Sequence, residues 1–148
     1  MTKINEDLLD AWLRLSISVN NPRLVTEITY NESLICNILY KHAHSKESTP
    51  LTATDLCKIT NMLKSQMNRT LNQLEEKKLI SRERSTVDKR QVFITMNLHQ
   101  CHIYELQHKQ ILSILDAVID KLGTERSKDA IKLLNAISEV AEQLNLGK

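Results

Sequence analysis

The chain has 148 residues, enough for one cooperative core and too few for two comfortable domains. Glycine and proline occur twice each and aromatic residues make up only 3%, a balance that disfavours a sheet-rich fold and points to a mostly helical one. The net charge of +2 is uneven: residues 58–90 hold nine Lys/Arg against four Asp/Glu, leaving the remainder at about −3, which suggests an element that meets a polyanion.

No apolar run approaches the roughly 20 residues of a membrane span, and the opening MTKINEDLLDAW is acidic and amphipathic. It reads as neither a signal peptide nor an anchor, so a cytoplasmic, nucleoid-associated protein with no membrane partner is expected. Three cysteines, Cys36, Cys57 and Cys101, are odd in number and far apart, which excludes a disulfide scaffold or a CxxC zinc ribbon.

In chain order, residues 5–19 place Leu8, Leu9, Trp12, Leu13 and Leu15 at helical spacing, and Asn20-Asn21-Pro22 ends that helix. A second helix is expected from Asn31 to His44, with Leu34, Ile35, Ile38 and Leu39 inward. A polar loop over Ser45–Pro50 follows. Thr52 then caps a short helix to Thr60, with Asp55 as an imperfect capping box. After Asn61-Met62-Leu63-Lys64, Ser65 is expected to cap a further helix to Lys77, completing a helix-turn-helix. Ser81–Ser85 and Gln91–Thr95 read as two strands around a charged turn. Two long helices, 98–122 and 128–144, break at Gly123-Thr124. The fold class is therefore mostly α with a small β-hairpin, a winged helix-turn-helix with N- and C-terminal dimerisation helices. Its parts are residues 1–30, 31–97 and 98–148.

On the helix from Ser65 to Lys77, Met67, Leu71 and Leu74 share one face. The opposite face carries Ser65, Arg69, Asn72 and Glu76, flanked by Gln66, Asn68 and Gln73. Asn and Gln suit adenine edges and Arg suits guanine, whereas an ordinary solvated face is rich in Glu and Lys. Lys64, Ser65, Gln66, Asn68, Arg69, Asn72 and Gln73 are accordingly expected to contact DNA. From the hairpin tip, Thr86, Lys89 and Arg90 join them, because an arginine there can enter a narrow minor groove. Asp88 is expected to hold the Arg90 guanidinium by a bidentate contact.

These residues carry a family resemblance. The stretch LTATDLCKITNMLKSQMNRTLNQLEEKKLISRERSTVDKRQVFITMN resembles the winged-helix core of the MarR family of regulators. It matches in its LT start, its L-E-x-K-x-L-I helix end and its D-x-R wing. The resemblance implies a homodimer built on the terminal helices and DNA binding regulated by a small molecule, a metal or an oxidant. One position departs: Lys78 stands where the family usually has glycine after the recognition helix, at a cost of about 1 kcal/mol if the backbone is left-handed.

The last two helices carry more than one apolar stripe, so a second copy related by a two-fold axis is expected to cover them. Leu8, Trp12, Ile114, Leu115, Val118, Ile131, Leu134, Ile137 and Val140 are the candidate dimer residues. A pseudo-palindromic operator follows from that symmetry. A divalent-metal site could draw on His102, Glu105 and His108, with His42 or His44, but no HxxxH pair is present and no metal or cofactor is expected. Cys36 reads as a packing residue, no basic neighbour in sequence favouring a reactive thiolate, and Cys57 reads as packing because it sits among the apolar positions of the short helix. No catalytic residue is assigned: neither a Ser-His-Asp order nor a Gly-rich phosphate loop is present. The alternatives are a winged-helix protein-interaction module without DNA binding, and a metal- or redox-responsive regulator.

Overall fold

The computed structural model describes residues 3–19, 27–46 and 49–145, the side chain of Asn145 excepted. Its elements run α1 (Lys3–Val19), α2 (Tyr30–Ala43), β1 (Leu51–Thr52), α3 (Ala53–Thr60), α4 (Lys64–Glu76), β2 (Ile80–Arg84), β3 (Val92–Met96), α5 (His102–Leu122) and α6 (Thr124–Asn145). The chain divides into two compact units, Met1–Gln107 and His108–Lys148. The segment expected to stop α1, residues 20–22, lies outside the described residues, as do Glu47 and Ser48 of the loop before β1.

The first unit is a winged helix-turn-helix. Its core gathers Ile35, Cys36 and Leu39 from α2, Leu56 from α3, and Met67, Leu71 and Leu74 from α4. Leu79, Ile80, Ile94 and Met96 close it from the sheet side. Leu34 and Ile38 are half-buried at its edge. The sheet is antiparallel in the order β1-β3-β2, with Ile80 opposite Met96 and Arg84 opposite Val92. Both hairpin strands lie within a residue of their expected positions. The strand β1 was not foreseen: two residues give no periodicity, and only the pairing of Leu51 with Ile94 and Thr52 with Phe93 defines it.

Caps decide where the helices begin. Thr52 accepts from the Asp55 backbone N–H at 3.1 Å while the Asp55 carboxylate accepts from Thr52 N at 3.0 Å, so the shorter acid completes the box. Thr29 and Glu32 form the same pair, and α2 accordingly starts at Tyr30 rather than Asn31. Ser65 does not cap α4. The N-cap is Leu63, which makes no side-chain capping bond, and Ser65 is the second helical residue. Two further boundaries move. Helix α5 starts at His102 instead of 98, because Leu98–Cys101 is occupied by a turn in which Gln100 N donates to Asn97 O. Helix α6 starts directly at Thr124, because Gly123 at φ 88° reverses the chain in one residue and its carbonyl accepts from both Ser127 N and Ser127 Oγ.

In the second unit, the C-terminal part of α5 and α6 expose most of their apolar side chains, among them Leu112, Leu115, Ile119, Leu133 and Leu144. In the first unit, α1 likewise has no buried residue.

Candidate nucleic-acid interface

Helix α4 is amphipathic as its spacing requires. Met67, Leu71 and Leu74 are buried, and Thr70 beside them returns its hydroxyl to Gln66 O at 2.9 Å. Every residue assigned to the outer face, Lys64, Ser65, Gln66, Asn68, Arg69, Asn72, Gln73 and Glu76, is exposed. The outer face is thus held by a buried ridge and left uncovered by the described residues of its own unit.

Three arrangements fix where that face points. The connection from α3 turns at Asn61, whose φ of 58° puts it in the left-handed region that asparagine tolerates better than most residues. At the other end Lys78 adopts φ 63°. Lys78 N donates to Glu75 O at 2.9 Å and Leu79 N to Leu74 O at 3.0 Å, the paired bonds of a Schellman close. The missing glycine therefore changes the energy of this helix end without changing its geometry. Asn97 then braces the corner, donating from Nδ2 to Lys78 O and from its backbone to Leu79 O.

The third arrangement, not legible from the sequence, is an ion pair between a partly exposed lysine and a buried glutamate. Lys77, the C-cap of α4, donates from Nζ to both Glu32 carboxylate oxygens, at 2.6 and 3.0 Å, and to Glu27 O at 2.9 Å. Glu32 is fully buried and also caps Thr29 N. The signal available in the sequence was Thr29-x-x-Glu32, a capping-box pattern. Its link to Lys77, 45 residues away, was not legible.

The wing is ordered around Ser85, a buried hydroxyl that accepts from Val87 N and Asp88 N at 3.2 and 3.1 Å. Arg84 donates to Lys89 O at 2.7 Å and closes the tip from the strand side. Asp88 does contact Arg90, but through one oxygen: Oδ1 accepts from Arg90 N at 3.1 Å and from Nε at 3.4 Å. The expected bidentate clasp is absent because the same oxygen serves the backbone. Thr86, Lys89 and Arg90 are all exposed, Arg90 with 94% of its side chain. Wing and helix also touch: Arg82 on β2 donates from Nη2 to Asn72 Oδ1, with its Nε 3.8 Å from Glu75 Oε1.

His42 and His44 have local partners. His42 Nε2 is 2.7 Å from Thr49 O, and His44 Nδ1 is 2.9 Å from Tyr40 O. Glu105 accepts from Tyr40 Oη at 3.4 Å and lies 3.6 Å from Cys101 Sγ. Among the described residues no group of three His, Cys, Asp or Glu side chains is arranged to hold a metal ion. Burial pushes the Cys36 thiol up to about 12, reinforced by the Glu32 charge, and burial with Glu105 raises Cys101 as well. Cys57 is only half-buried, at the margin of the core rather than within it.

A buried ridge under an exposed polar helix, with a basic hairpin beside it, defines a winged-helix regulator. The chain belongs to the SarA/Rot family of transcriptional regulators, whose model matches residues 24–106. It is 28% identical over 115 residues, 76% of this chain and 75% of the relative, to an HTH-type transcriptional regulator of Staphylococcus aureus strain Mu50. Solved structures with the same fold include S. aureus MarR in complex with salicylate and kanamycin, at 23% identity and TM-score 0.75, covering 95% of this chain and 93% of that one. Streptococcus pneumoniae FabT in complex with DNA matches at 21% identity and TM-score 0.70, covering 96% and 97%. The S. aureus MepR–DNA complex matches at 20% and 0.71, covering 95% and 98%. The MarR resemblance of the core thus holds for the fold, and the family model narrows it to SarA/Rot.

Proposed function

We propose that this regulator binds double-stranded DNA as a homodimer, reading a pseudo-palindromic operator through the outer face of α4 while the wing meets the flanking backbone and minor groove. The observation that carries the proposal is the exposure of Ser65, Gln66, Asn68, Arg69, Asn72 and Gln73 over a ridge, Met67–Leu71–Leu74, that is completely buried. These side chains donate to and accept from base edges, and Lys64, Thr86, Lys89 and Arg90 supply phosphate-directed hydroxyl and cationic groups around them. An interaction module without DNA binding would favour apolar anchors on this face, and α4 exposes none.

The dimer is proposed to form through Leu8 and Trp12 of α1 and through Ile114, Leu115, Val118, Ile131, Leu134, Ile137 and Val140 of α5 and α6, all exposed on the single chain. Apolar surface on that scale calls for a partner. The protein acts as a repressor released by a small ligand, without catalysis, in the cytoplasm; no helix among the described residues is long and apolar enough to cross a membrane. The test is to mix the purified protein with sheared DNA of its own genome and sequence the retained fragments. A two-fold symmetric motif is expected, with half-sites about one helical turn apart. Recovery of fragments in proportion to their abundance would refute the proposal.

A further inference from the structure

The contact between wing and recognition helix constrains what Asn72 can read. Arg82 donates to the Asn72 carboxamide, and because a guanidinium has only donors, the atom it meets must be Oδ1. Nδ2, with its two hydrogens, is then the end of the carboxamide left without that contact. Glu75, three residues on and on the same stripe of α4, places its carboxylate 3.8 Å from Arg82 Nε and keeps the guanidinium over this part of the helix. Asn72 is exposed, whereas the Arg82 side chain keeps only 23% of its surface in solvent. The arginine is thus built into the wing–helix junction.

Adenine is read by a carboxamide through two bonds: Oδ1 accepts from N6–H and Nδ2 donates to N7. Guanine shows two acceptors on the same edge, O6 and N7. A charged donor already on Oδ1 makes that oxygen a poorer acceptor for a neutral adenine amine, while the Nδ2 hydrogens keep their full strength. We propose that Arg82 is a specificity-determining residue that acts through Asn72, converting a carboxamide suited to adenine into a donor that prefers guanine. The proposal rests on the DNA reading given above and adds to it which base edge Asn72 selects.

The experiment is selection from a random duplex library by wild type, Arg82→Met, Asn72→Ala and the double variant, with thermal melts confirming that each is folded. Wild type should favour guanine over adenine at one position of each half-site, by about fivefold or more. Arg82→Met should move that same position toward adenine and leave the others unchanged. Asn72→Ala should flatten it, and Arg82→Met should then add nothing. Arg82→Gln, which replaces the charged donor with a neutral one, should move that position toward adenine in the same way, and stands in if Arg82→Met does not fold; an unchanged base order in it would equally overturn the proposal. An unchanged base order in Arg82→Met, with only a uniform loss of affinity, would reduce Arg82 to a brace and overturn the proposal. So would a shift that persists in the Asn72→Ala background. A wild-type protein that enriches no sequence would instead overturn the DNA reading itself.

Discussion

Arg69 is the only arginine on α4, and it sits on the exposed face one turn in from the helix start. Replacing it with alanine should cost about 1–3 kcal/mol on the selected operator and relax base preference at one position. Equal losses on operator and random DNA, measured by fluorescence anisotropy, would assign it to phosphate instead. Cys36 offers the opposite kind of test. Its thiol is buried and pushed up to about 12, so almost no thiolate exists at neutral pH. Native protein should resist iodoacetamide at Cys36 and react there only after denaturation; rapid native-state labelling would revive a redox role. The sign on stability follows from the same shift. The fold favours the protonated thiol, so its contribution is intact below pH 9 and declines as pH rises toward 12.

At the scale of elements, α4 depends on what holds its C-terminal end. Lys77→Met would leave Glu32 buried without its cation. Lys77 keeps 34% of its side chain in solvent, so we expect a loss of about 3 kcal/mol, the low end for a broken buried pair, read from urea unfolding. A change under about 0.5 kcal/mol would show the pair to be incidental. Much of this architecture was legible in the chain. The 3.6-residue spacing of Met67, Leu71 and Leu74 gave α4 and its outer face, whereas a left-handed Lys78 was only a condition raised by the family's usual glycine there, which the backbone meets at φ 63°. What escaped was set by long-range partners. The strand β1 exists only through β3, Glu32 meets Lys77 across 45 residues, and Arg82 meets Asn72 across the wing. Local rules failed where the neighbours decide the ends: Ser65 is a good cap in isolation, yet the turn from Asn61 begins the helix one residue before it.

At the scale of the whole molecule, the exposed apolar faces of α1, α5 and α6 are the seam of the proposed dimer. Leu134 is 52% exposed on the single chain. Leu134→Asp should abolish dimers in sedimentation velocity, since burying an unpaired carboxylate in such a seam outweighs the contacts around it. Dimers retained by that variant would place the interface elsewhere. In the proposed complex, symmetry would link this surface to the DNA: one α4 would read a single half-site, and a palindrome would need two.

Entry of the outer face of α4 into a major groove would shield guanine N7 from dimethyl sulfate. On a fragment retained from the genome, two protected clusters about one helical turn apart are expected, with part of each cluster lost for Arg69→Ala. Bound fragments whose guanine N7 atoms remain fully reactive would contradict it.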